Sequence, residues 1–139
     1  MGPQAGETPP PDLRPAERLG APIIHIQLDS ELELLRASDS YRTADHAAAT
    51  ILKRPGIRVV LVALRAGGQM HAHHADSPIT VQVLQGRIRF DVDGQTLELQ
   101  PGHLVGVAES LPHRVLGVEE SAFLLTIGPV LTPPNKAAS

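Results

Sequence analysis

The stretch Arg87-Ile88-Arg89-Phe90-Asp91-Val92-Asp93-Gly94 constrains this chain more than any other. Charged and apolar residues alternate strictly, so an extended backbone puts Ile88, Phe90 and Val92 on one face and the charges on the other. Asp93-Gly94 then supplies a two-residue hairpin turn, whose central positions both need φ > 0. Leu97 and Leu99 resume the alternation beyond it. Around this hairpin lie further short apolar runs: Ile57 to Leu64, Ile79 to Leu84, Leu104 to Val107, His113 to Val118 and Ala122 to Ile127. Ala66-Gly67-Gly68, Gly86 and Pro101-Gly102 punctuate them. About eight short strands at regular spacing predict an all-β, antiparallel closed barrel or sandwich.

The part before residue 57 reads differently. Residues 1–22 carry Pro3, Pro9, Pro10, Pro11, Pro15 and Pro22 among polar residues, which predicts a disordered tail. Ile23 to Leu28 reads as a short strand. Asp29-Ser30 offers a helix N-cap with Glu31 and Glu33 in the first turn. Leu28, Leu32 and Leu35 at helical spacing predict a short helix from about residue 30 to 36, with an extension to 42 open. In His46 to Lys53 the alanines favour helix, whereas Thr50-Ile51 and the Arg54-Pro55-Gly56 turn favour a strand from Ala49. Residues 132–139 read as a frayed end, leaving 23–131 as one domain.

Composition excludes several functions. Aromatics make up 2% and Trp is absent, so the core must be aliphatic. A net charge of −3 with scattered basic residues argues against a nucleic-acid surface. No cysteine means no disulfide framework and no thiolate zinc site. The first twenty residues lack the apolar run of a secretory signal, and Val59 to Leu64 is far short of a membrane span. A cytoplasmic protein is the default expectation. No Gly-x-Ser-x-Gly elbow supports a nucleophilic serine.

Histidine carries the functional signal. Of seven, three cluster in Met70-His71-Ala72-His73-His74. On a strand His71 and His73 share a face and His74 points away. Two imidazoles converging from one strand are a common start to a site for Zn, Fe, Ni or Mn, although a solvated His-rich loop gives the same spacing. His113 opens an apolar strand and shares the parity of Val115 and Gly117, which leaves inside or outside open. His103 follows the Pro101-Gly102 turn and reads as exposed; His25 and His46 read as structural. Gln82 is an amide among β-branched neighbours, so it either lines a pocket or faces a subunit interface.

The order of these segments resembles the cupin superfamily, whose first motif is Gly-x5-His-x-His-x3–4-Glu-x6-Gly and whose second is Gly-x5-Pro-x-Gly-x2-His-x3-Asn. Gly67 to Gly86 looks like the first, with Val83-Leu84-Gln85-Gly86 its most specific part, and Gly102 to Gly117 looks like the second through Leu111-Pro112-His113-Arg114-Val115. Ile79 stands where the family has its metal-binding Glu. Ala108, Ser110 and Gly117 replace the Pro, Gly and Asn of the second motif. The resemblance covers about residues 57–128 and implies an RmlC-like jelly-roll barrel, often a homodimer. It implies His113 as a ligand, with His73 beside it and His71 or His74 competing for the third place.

Two functions follow from that resemblance. One is a metal-dependent enzyme of oxygenase or isomerase type, with His71, His73 and His113 holding Fe, Mn, Ni or Zn and with Gln82 and His74 lining the substrate pocket. The other is a non-catalytic small-molecule-binding or sensor barrel with a degenerate metal site. Loss of the carboxylate at Ile79 favours the second; retention of the histidines favours the first.

Overall fold

The computed structural model describes residues 21–72 and 76–130. Residues 1–20 of the tail expected over 1–22, the tail expected over 132–139, and the site candidates His73 and His74 lie outside the described residues. Among the described residues two short helices come first, α1 (Leu28–Arg36) and α2 (Asp39–Thr43). Nine strands follow among the described residues: β1 (His46–Arg54), β2 (Ile57–Leu64), β3 (Gln69–Ala72), β4 (Ile79–Gln85), β5 (Ile88–Val92), β6 (Gln95–Leu99), β7 (Leu104–Val107), β8 (His113–Gly117) and β9 (Ser121–Ile127). A five-stranded sheet runs β1-β2-β9-β4-β7 and a four-stranded sheet β3-β8-β5-β6, with every pairing antiparallel.

Side-chain alternation builds two cores from these sheets. Val60, Val62 and Leu64 of β2, Val81 and Val83 of β4, and Phe123 of β9 meet Ile88, Phe90, Val92, Leu99 and Val115 between the sheets. Opposite-parity residues of the large sheet, Leu61, Ala63 and Ala122, face outward and are covered by Leu32 and Leu35 of α1 and Tyr41 of α2. Over β1, β2 and β9 the large sheet is thus buried on both faces. That is why Ile57 to Leu64 reads as a continuous apolar run while β5, solvated on one face, alternates.

Four expectations for the leading segment need correction. Ile23 to Leu28 is not a strand: it has no sheet partner among the described residues, and Leu28 already opens the helix. The helix begins at Leu28 with Gln27 as its N-cap instead of Asp29 or Ser30. It ends at Arg36 and does not run on to 42, because the Ser38 hydroxyl accepts the Tyr41 amide at 3.3 Å and starts a second helix. The strand expected from Ala49 starts earlier, at His46, where Leu64 pairs with it.

Candidate functional site

Strand register decides which histidines can meet. Across the small sheet, one row runs Ala72–His113–Val92–Gln95 and the adjacent row His71–Arg114–Asp91–Thr96. Directly paired residues share a face and neighbours along a strand alternate. Val92 is buried in the inter-sheet core, so His113 belongs to the inner face. Arg114 is exposed, so His71 belongs to the outer face with it. The three-histidine arrangement that the resemblance implied therefore loses His71: it is solvent-exposed and on the opposite side of the sheet from His113.

Gln82 is also corrected. It pairs with Leu124 on one side and Leu104 on the other, a row of the large sheet that faces away from the barrel interior, and it is exposed. Its parity is opposite to that of Val81 and Val83, which fill the core. His103 is exposed in the turn after Gln100, as expected. His46 contacts the Asp45 carboxylate at 2.8 Å, a structural role.

His113 is half-buried and held from two sides. Its ring lies 5.5 Å from the Phe90 ring, centroid to centroid, tilted by 32°. Its Nδ1 lies 3.3 Å from the Leu111 carbonyl. A carbonyl can only accept, so in the neutral ring this contact keeps the proton on Nδ1 and leaves the Nε2 lone pair for another partner. Phe90 was recognised in the sequence only as a core residue. Its contact with His113 follows from the pairing of Phe90 with Val115 and Val92 with His113, which local spacing does not reveal.

The end of the barrel at His113 is bounded by a second row, from the large sheet: Lys53–Arg58–Ile127–Ile79–Val107. Ile127 packs against the inter-sheet core and Ile79 and Val107 belong to it, so this row has inward parity. The chain leaves Val107 and re-enters the small sheet at His113 after five residues, 108–112. It leaves β3 at Ala72 and enters the large sheet at Ile79. These short connections place both rows at one open end, the mouth.

An open depression of about 610 Å³ at the small-sheet side of the mouth is bordered by Val92, Gln95, Pro112 and His113 and, from the outer row, by His71 and Arg114. Asp91 lies in its wall. Hydrogen bonding from the Thr96 hydroxyl at 2.8 Å, and then the Arg114 guanidinium, hold its carboxyl below the usual 3.8.

The donor set fits a divalent metal in part. His113 is oriented as a metal-binding imidazole normally is, with its second nitrogen fixed by a backbone carbonyl. Ile79, in the position of the family's carboxylate, is buried among apolar residues, and Gly117 offers no side chain. Among the described residues no three His, Asp or Glu side chains gather into a metal-holding group.

An antiparallel double-sheet barrel with an aliphatic interior and an inward imidazole at one mouth belongs to the class of jelly-roll folds. Residues 58–128 match the family model described as a cupin domain, and this chain belongs to the cupin family. No curated protein matches the sequence. Among solved structures, an RmlC-like cupin from Desulfovibrio desulfuricans is 22% identical with a TM-score of 0.59, covering 68% of this chain and 92% of that one. A cupin superfamily protein from Desulfitobacterium hafniense is 14% identical with a TM-score of 0.63, covering 81% and 95%. A variant of salicylate 1,2-dioxygenase from Pseudoaminobacter salicylatoxidans is 20% identical with a TM-score of 0.70, covering 85% of this chain but 39% of that one. These likenesses establish the shared fold.

Proposed function

We propose that the mouth of this barrel binds a small molecule beside a divalent metal ion (Fe, Mn, Ni or Zn) held by His113 together with His73 or His74, for oxygenase- or isomerase-type chemistry. The observation that carries this reading is the orientation of His113: inward, backed by Phe90, with Nδ1 turned to the Leu111 carbonyl and Nε2 left for a ligand. A metal bound there supplies Lewis acidity or oxygen activation. The chain's own residues do the rest: Phe90 and Leu111 fix the imidazole, and the apolar wall of Val92, Ile79 and Val107 keeps water out below it. The structural likeness to a protein named as a dioxygenase supports the oxygenase side.

A specific observation favours a second reading, a non-catalytic binding or sensor barrel. Ile79 buries an aliphatic chain where the family places a carboxylate, which removes one ligand and one negative charge from the mouth. Metal analysis of tag-free protein separates the two. Stoichiometric metal in the wild type, lost in His113→Ala and in one of His73→Ala and His74→Ala but kept in His71→Ala, supports the metal centre. Equal metal in wild type and His113→Ala would sink it. Oxygen uptake with diketone, thiol or phenolic substrates then tests for turnover.

In this reading the chain pairs as a homodimer through a sheet edge. Leu104, 63% exposed on the edge strand β7, supports that surface. Sedimentation of wild type against Leu104→Glu checks it: the dimer should dissociate, and an unchanged dimer rejects this edge. Among the described residues no helix is long and apolar enough to cross a membrane.

A further inference from the structure

Among the described residues, charged residues paired across strands follow a rule, with one exception. Arg89 opposite Glu98 and Arg114 opposite Asp91 are ion pairs, at 3.7 and 3.3 Å. Lys53 opposite Arg58 places two cations in register on one face. Like charges directly opposite one another destabilise a sheet. Neither residue has a carboxylate within ion-pair distance among the described residues. The position of this pair matters as much as its sign, because it continues the inward row through Ile127 and Ile79 at the mouth. A depression of about 270 Å³ opens beside it, bordered by Lys53 and Arg58 and by the apolar side chains of Ile57, Ile127, Pro129 and Val130. Val130 is 63% and Ile57 39% exposed there.

A pair of unneutralised cations beside uncovered apolar surface is complementary to an amphipathic anion. We propose that the mouth selects small organic anions, the carboxylate held by Arg58 and Lys53 and the apolar part lying against Ile127 and Val130. This deepens the proposed function and rests on reading the mouth as the ligand site. Arg58 supplies a planar, permanently charged fork suited to a carboxylate, and Lys53 a second point charge. The like-charge pair is then an arrangement that destabilises the empty barrel and is relieved when an anion sits between the two groups.

Calorimetric titration of the full chain with hexanoate, 1-hexanol and inorganic phosphate, with metal content measured in parallel, tests this. Hexanoate should bind at least tenfold more tightly than either control. Arg58→Gln and Lys53→Gln should each weaken hexanoate at least tenfold, with 1-hexanol unchanged and Arg58→Lys partly restoring affinity. Lys53→Glu should raise the thermal midpoint of the ligand-free protein, by giving Arg58 a partner, while abolishing hexanoate binding. Hexanoate binding that is absent, equal to that of 1-hexanol, or unaffected by both Gln variants overturns the proposal. Its failure is distinct from failure of the metal reading, which is decided by whether metal content follows His113.

Discussion

Ser121 shows how a single hydroxyl can hold two strands in place. It is fully buried, its Oγ accepts the Arg87 amide at 2.9 Å, and it lies within donating distance of the Arg87 and Glu119 carbonyls at 2.9 and 2.7 Å. Ser121→Ala leaves the Arg87 N–H without its partner and should cost about 1–3 kcal/mol in chemical denaturation. Gly86 sits against the same group: at φ +77 a Cβ would come within 2.2 Å of the Glu120 carbonyl oxygen and 2.4 Å of Ser121 Oγ. Gly94, at φ +75, has nothing within 4 Å of that position. Gly94→Ala should therefore cost only the backbone term, about 1–2 kcal/mol, whereas Gly86→Ala adds a backbone clash and should cost clearly more. Equal losses in urea titrations of the two variants would refute the packing argument. The Val-Leu-Gln-Gly phrase was legible in the sequence as a turn; its tight approach to Ser121, thirty-five positions away, was not.

Elements rather than residues account for the covering of the large sheet. Helix α1 turns Leu32 and Leu35 onto Leu61, Ala63 and Ala122 and leaves Leu34 68% exposed. Leu32→Ala or Leu35→Ala should lose about 2–4 kcal/mol, and Leu34→Ala within about 0.5 kcal/mol of nothing, by thermal or urea denaturation. α2 is anchored differently: Tyr41 donates to the Glu120 carboxylate at 2.7 Å and lies under the Arg65 guanidinium, 4.6 Å from its ring centroid. Burial, then the hydrogen bond to Glu120, raises the phenol above its usual 10.0. Asp45 ties the start of β1 to β3. Its carboxylate meets His46 at 2.8 Å and accepts the Gln69 amide at 3.2 Å, contacts that hold it below the usual 3.8. A depressed carboxyl contributes stability that is complete above its unfolded value and is lost as pH falls through the folded one. Asp45→Asn should thus lower the thermal midpoint slightly at neutral pH, the group being solvent-screened, and the gap should close below pH 3.8. A gap that persists in acid would assign the effect to packing instead.

At the scale of the whole molecule, Phe90 links stability to the site. It is fully buried between the sheets and carries the ring of His113. Phe90→Ala should cost about 3–5 kcal/mol. If His113 holds the metal as proposed, Phe90→Leu should fold yet lower metal content, because the imidazole loses its wall; unchanged metal content in Phe90→Leu would show that Leu111 alone positions the ring. The all-β character, the 93–94 hairpin and the inward set Ile88, Phe90 and Val92 could all be read from the chain, because the two-residue period of a strand is a local property of its covalent geometry. The faces of His71, Gln82 and His113 could not. Alternation says which residues share a side and is silent on which side is interior; that was decided by the pairing of β3 with β8 and of β4 with β7 and β9, between segments far apart in sequence. A one-residue difference in such a register exchanges the two faces of a strand. For that reason the histidines were visible as candidates from spacing alone, while the separation of His71 from His113, and the row that carries Arg58 to the mouth, exist only in the folded sheet.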